Sequence, residues 1–154
     1  MADLVCANGF GKAAYYAGLP GASDGLVLVL LKKAGIESNP TLQNYTSLSA
    51  LLAASNDECN ATNWVRPVIT SGTTVTYDPT NKRVDCFFPA QTITALGTSV
   101  AQQEVQKLLV CYWPTVGSGG DAAILPLTCH DYYAVLYGGD FQMAMPSGFY
   151  RDGQ

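Results

Sequence analysis

Cysteine, histidine and aspartate stand side by side at Cys129-His130-Asp131. These are residue types from which a nucleophile, a general base and an orienting carboxylate are assembled. His130 is the one histidine of the chain, so any imidazole mechanism must use it. The spacing works against a local triad. "TCHDYYAVLY" has the composition of a strand, and neighbours along a strand point to opposite faces, which separates Cys129 from His130. The spacing favours a structural or interface histidine, with any catalytic partner supplied from elsewhere in the fold.

Other motifs fail on their own residues. "GFGKAA", from Gly9 to Ala14, fits the relaxed dinucleotide fingerprint, but only "LVCA" precedes it and Asp24 comes before the next strand rather than after it. It reads as glycine in a flexible arm. In "VGSGGD", Val116 stands where a nucleophile elbow around Ser118 needs glycine. Asp57 and Glu58 in "SNDECN" lack the acidic alternation of a calcium loop and read as a solvated turn. Five cysteines, Cys6, Cys59, Cys86, Cys111 and Cys129, are widely spaced and odd in number. That argues against a disulfide framework and against paired zinc ligands, and for buried thiols acting as small hydrophobes. No catalytic residue, no cofactor and no metal is expected.

The elements that would position these residues are mostly strands. Residues 1–25 are rich in Gly and Ala and read as a loosely structured arm or a short helix between turns. Residues 26–154 read as a single β-rich domain. "LVLVLLKK" fits a buried strand, although its periodicity alone leaves a helix open. In "YTSLSALLAAS", Leu48, Leu51 and Leu52 share one face, with Thr46 or Ser47 as N-cap, which predicts a helix near 46–54. "WVRPVIT" predicts a short strand, at an edge or bulge because of Pro67. "TTVTYD" and "RVDCFF" flank the turn "PTNK", and alternation puts Val75 and Tyr77 on one face, expected to fill the core. "QTITAL" and "EVQKLLVCYW" follow. "DAAILPL", "TCHDYYAVLY" and "DFQMAMP" are then read as separate strands, divided by Pro126 and Gly138-Gly139. The fold class is mainly β (α+β): an antiparallel β-sandwich or barrel with one or two short helices.

Composition bounds the partners. Net charge is −4, and the adjacent basic pairs are only Lys32-Lys33 and Lys82-Arg83, which argues against binding to a nucleic-acid backbone. The longest apolar run, Leu26 to Leu31, is far short of the ~20 residues that span a membrane. "MADLVCANGF" has no basic region leading into an apolar stretch, so a cytosolic origin is expected. Charged residues make up only 13% of the chain, against roughly a quarter in ordinary domains. Such a surface is often covered by a partner. The aromatic pairs Tyr15-Tyr16, Tyr132-Tyr133 and Phe149-Tyr150 add to this, since one member of each pair should reach the surface and serve as an interface anchor.

The order "NYTSLSALLAASNDEC", "NWVRPVIT", "TTVTYDPTNKRVDCFFP", "QTITALG" resembles a group of small structural proteins from tailed bacteriophage particles. The shared outline falls on Tyr45 to Leu52, Trp64 to Arg66, Thr74 to Asp85, Thr92 to Gly97, Asp121 to Leu127 and Gly138 to Asp140. The resemblance implies a virion component without catalysis, a decoration or cement protein that binds the major capsid protein and braces the shell. It also implies a homo-oligomer, often a trimer, assembled in the host cytoplasm. The arm from Ala2 to Gly25 is the segment expected to reach between subunits. The alternatives are a tail-associated or glycan-binding virion protein, with Trp64 and Trp113 as the residues to test, and a small enzyme built on His130.

Overall fold

The computed structural model describes residues 4–153, side chains through residue 151. The chain runs β1 (Leu4–Val5), α1 (Ala13–Ala17), β2 (Gly25–Lys32), α2 (Asn39–Leu42), α3 (Leu48–Ala53), β3 (Val68–Ile69), β4 (Thr74–Asp78) and β5 (Arg83–Phe87). It continues with β6 (Gln91–Gly97), β7 (Gln103–Trp113), α4 (Gly120–Ala123), β8 (Leu125–Met143) and β9 (Tyr150–Gly153). All described strand pairs are antiparallel. The larger sheet has the order β1-β8-β7-β2-β3, with β6 also on β8, and the smaller has the order β4-β5-β9. The protein is a mainly β, α+β fold.

The apolar run Leu26 to Leu31 is β2, next to the centre of the larger sheet, and each of its side chains is buried. Leu26, Leu28 and Leu30 face one core with Ala13 and Ala17 of α1, Cys86 of β5, and Phe149 and Tyr150. Val27, Val29 and Leu31 face a second core, closed by Leu42 of α2, Leu48 and Leu51 of α3, and Ile124. The sheet is therefore sandwiched, by the smaller sheet with α1 on one side and by short helices on the other. α3 starts where its cap predicts: the Ser47 hydroxyl accepts a hydrogen bond from the Ala50 N–H at 3.2 Å.

Several details depart from the sequence reading. There are four short helices among the described residues rather than one or two. Of the three late strands, the first begins in α4 with Asp121 to Ala123. The rest of the three join as one strand, β8, whose first part pairs with β7 and whose last part pairs with β6. Pro126 is tolerated because the register shifts there, between Val110 and Cys111, so the missing N–H falls at a bulge. Opposite the glycines, β6 bulges at Ala95, which takes a left-handed φ of 53°. The Asn63 side chain donates to the Ala95 carbonyl at 3.0 Å, and Asp140 accepts from its N–H at 3.1 Å. β6 therefore leaves the hairpin that precedes it and joins the other sheet.

In the Gly/Ala-rich start, the short helix between turns is what forms. The first three residues of the expected arm lie outside the described residues. From Leu4 onward the segment is packed in: Leu4, Cys6, Ala13 and Ala17 are buried, and β1 pairs with Cys129 and Thr128 of β8. Gly9 is glycine because the backbone of β8 leaves no room. A Cβ there would stand 2.3 Å from the Leu127 carbonyl oxygen. Gly9→Ala should therefore destabilise the fold by about 1–3 kcal/mol, read from the denaturant midpoint. An unchanged midpoint would mean that this segment is not packed against β8 in solution.

Candidate functional site

His130 is buried on the side of β8 that faces the smaller sheet, where one of its ring nitrogens lies 2.9 Å from the Thr128 hydroxyl. Both line a cavity of about 200 Å³ with Val5, Ser147, Phe149 and Arg151. Arg151 is already engaged: its Nε donates to Asp85 at 2.7 Å and its Nη2 to the Ser147 carbonyl at 2.9 Å. The neighbours of His130 in sequence are not its neighbours in chemistry. Cys129 faces the helix-covered core, and Asp131 accepts from Lys107, its directly opposed partner on β7. Lys107 also donates to Asn39 of α2 at 2.8 Å, so this buried ammonium is held between sheet and helix layer. The strand geometry therefore separates Cys129 and Asp131 from His130, as alternation requires.

The cysteines are placed for packing. Cys6, Cys111 and Cys129 sit in the helix-side core, and Cys59 and Cys86 in the other. Burial, with some repulsion from Cys129, pushes the Cys6 thiol up to about 12. Burial pushes Cys86 up to about 11, with Asp85 adding to it, and raises Cys111 as well. A thiol so raised stays protonated near neutrality, and the thiolate is the reactive form. Native protein at about pH 8 should leave its five cysteines unmodified by a thiol reagent, and denatured protein should expose all five. Rapid labelling of any of them before unfolding would contradict this packing.

A further polar cluster is one the sequence concealed. Arg66 donates from Nε to Glu58 Oε1 at 2.8 Å and from Nη2 to Glu58 Oε2 at 2.5 Å. The same guanidinium reaches Asp121 of α4 through both Nη1 and Nη2. Trp64 Nε1 adds a bond to Glu58 at 2.8 Å. Glu58, expected in a solvated turn, is instead the hub of a clamp joining the β3 approach to α4. Its backbone also bridges to Leu31. Nothing in the spacing reveals the pair Arg66–Asp121, because the residues meet only once the sheet is assembled.

The aromatic pairs divide. Tyr15 is exposed and Tyr16 half-buried, stacked on Tyr112 with ring centroids 4.8 Å apart. Tyr133 is exposed and donates to Glu104 at 2.8 Å beneath Lys33, while Tyr132 is half-buried and donates to the Gln142 carbonyl at 3.0 Å. Neither member of Phe149-Tyr150 reaches the surface: both are core, with Phe149 against Phe88. Sequence reasoning missed Phe10, Val75, Tyr77 and Tyr137, all exposed. Val75 and Tyr77 were expected to fill the core. β4 is instead the outermost strand of the smaller sheet, so only the β5 half of the hairpin's apolar face is covered. The two tryptophans are half-buried and tied, Trp64 to Glu58 and Trp113 Nε1 to the Ser118 carbonyl at 2.8 Å.

Comparison of the chain with known protein families, curated proteins and solved structures finds no match.

The Arg66 clamp yields a pH dependence of stability. Hydrogen bonds from Arg66 hold the Asp121 carboxyl below the usual carboxylate range against its partial burial. A depressed folded-state value means that the native state favours the ionised form. The stabilisation is therefore complete above the unfolded value of about 3.9 and is lost as pH falls through the folded value. Asp121→Asn should lower stability at neutral pH and flatten its decline between roughly pH 5 and pH 2. Parallel pH profiles of the variant and the parent would show the clamp to be energetically silent.

Proposed function

We propose that this chain is a non-enzymatic structural protein of a virion, a decoration or cement protein that binds the major capsid protein and reinforces the shell. The carrying observation is where the chain leaves its large apolar side chains. Phe10, Tyr15, Val75, Tyr77, Tyr133 and Tyr137 are all exposed on a surface with few charges. Aromatic and β-branched groups in water favour burial against a partner, at roughly 25 cal/mol per Å² of apolar area. Tyr anchors also combine large contact area with little rotamer entropy to lose. Small contacts repeated over a lattice accumulate through multivalency rather than through any single strong site.

The residues that carry the resemblance to small phage structural proteins fall on structural elements, which supports this reading. Tyr45 to Leu52 includes most of α3, Thr74 to Asp85 makes the β4–β5 hairpin, and Trp64 to Arg66 makes the Glu58 clamp. Both tryptophans are half-buried and tied into the fold through their indole N–H groups, which favours a packing role over glycan stacking. An adhesive role needs many copies. Quantitative mass spectrometry of purified particles should give this chain at a ratio within a few-fold of the major shell protein. A handful of copies per particle would move it to the tail or a vertex, and absence from particles would end the structural reading.

A further inference from the structure

We propose that the outer edge of β4 is a pairing site for the same strand of a second copy, the two chains meeting about a two-fold axis at Thr76. The first observation concerns how the other edges are treated. β1 and β3 are two residues long, and Pro67 immediately precedes β3. β6 is broken by the left-handed Ala95 and tied there by Asn63 and Asp140. β9 carries Arg151 and Asp152. Short length, proline, bulges and charge are the devices that keep a strand edge from pairing with another chain. β4 has none of them from Thr74 to Tyr77, and meets a charge and a proline only at its end, in Asp78 and Pro79. It is "TVTYD", five residues of regular register against β5, and no further backbone hydrogen bond reaches Thr74 to Asp78 among the described residues.

The second observation is that the apolar layer runs past this edge. In the ladder Val75 opposes Cys86 and Tyr77 opposes Val84, so these four share the face turned to the core. Cys86 is fully buried, yet Val75 is 43% and Tyr77 61% exposed, with Tyr15 of α1 also exposed on this side of the molecule. The layer is unfinished by about one strand.

The sequence of β4 supplies that strand. An antiparallel pair about a two-fold axis perpendicular to the sheet keeps like faces together, which restricts the register. Centring on Thr76 pairs all five residues of both strands: Thr76 with Thr76, Val75 with Tyr77, Thr74 with Asp78. These are favourable β-branched–aromatic and Thr–Thr pairs with no like charges opposed. Centring on Val75 would pair only Thr74 to Thr76 within the strand, centring on Tyr77 would bring Pro79, which has no N–H, opposite Val75, and centring on Asp78 would oppose two carboxylates. The product is a six-stranded sheet shared by two chains, with the Val75/Tyr77 layer closed over by its own copy. The inference does not rest on a virion role.

Sedimentation velocity of the full chain over a wide concentration range tests it. The parent should show a concentration-dependent monomer–dimer equilibrium. Thr76 is exposed and opposes Asp85, which Arg83 and Arg151 already neutralise, so Thr76→Lys and Thr76→Glu should both leave the monomer fold intact by circular dichroism. Each should weaken self-association about tenfold or more by opposing like charges at the axis, and an equimolar mixture of the two should restore a dimer. As a second readout, Thr76→Cys adds an accessible thiol to a chain whose own five are buried, and mild oxidation should join it to itself. A parent that stays monomeric throughout, or assembles only as a trimer, overturns the proposal. So does a dimer indifferent to Thr76→Lys, or Lys and Glu variants that do not prefer each other.

Discussion

The structure depends on one constraint: β2 has no face that can meet water. Six consecutive aliphatic side chains, Leu26 to Leu31, alternate between two cores, so each side of the larger sheet needs its own cover. An antiparallel sheet usually manages with one. Here the second cover is assembled from α2, α3 and the residue following α4, none longer than six residues. Helices this short have little stability of their own and hold their shape because the sheet buries their leucines. The first cover is the smaller sheet with α1, which is why the hairpin β4–β5 must turn away from β6 and cross the other face.

That layered arrangement explains how the chain uses its few charges. Eleven of its twenty charged side chains are in ion pairs among the described residues. Several of them join elements: Arg66 ties the β3 approach to α4, Lys107 ties β7 to β8 and α2, and Asp85 ties β5 to β9 through Arg151. Half-buried pairs of this kind add little net stability, but removing one partner leaves an uncompensated charge, so they fix how layers sit. The consequence is on the outside. With few charges in the chain and many of those paired, much of the surface is Thr, Ser, Asn, Tyr and Val. An outer face of that composition is what the proposed adhesive role would draw on.

Local pattern was legible where the local rule decided the outcome. The β2 run, the Ser47 cap with its leucine face, the edge position after Pro67 and the opposite faces of Cys129 and His130 all follow from residue types at short range. What was not legible was set at long range. Pro126 and Gly138 look like strand breakers, yet β8 runs through both because β7 and β6 absorb the irregularity as bulges. Phe149 and Tyr150 look like surface aromatics, yet β9 returns along β5 and places them in the core. The Glu58–Arg66–Asp121 clamp joins residues far apart in the chain and leaves no trace in spacing.

The hairpin is the place where local and global preference diverge most. Val75 and Tyr77 have high β propensity and sit in a regular ladder, so the strand itself is unfrustrated. Their exposure is a property of position alone: one more strand beside β4 would make them ordinary core residues. A sequence under pressure only to fold alone would gain from a charge or a proline at that edge, as its other edges illustrate. Retaining four neutral, strand-forming residues there, Thr74 to Tyr77, costs protection against unwanted pairing. The proposed pairing of β4 with its own copy accounts for that cost.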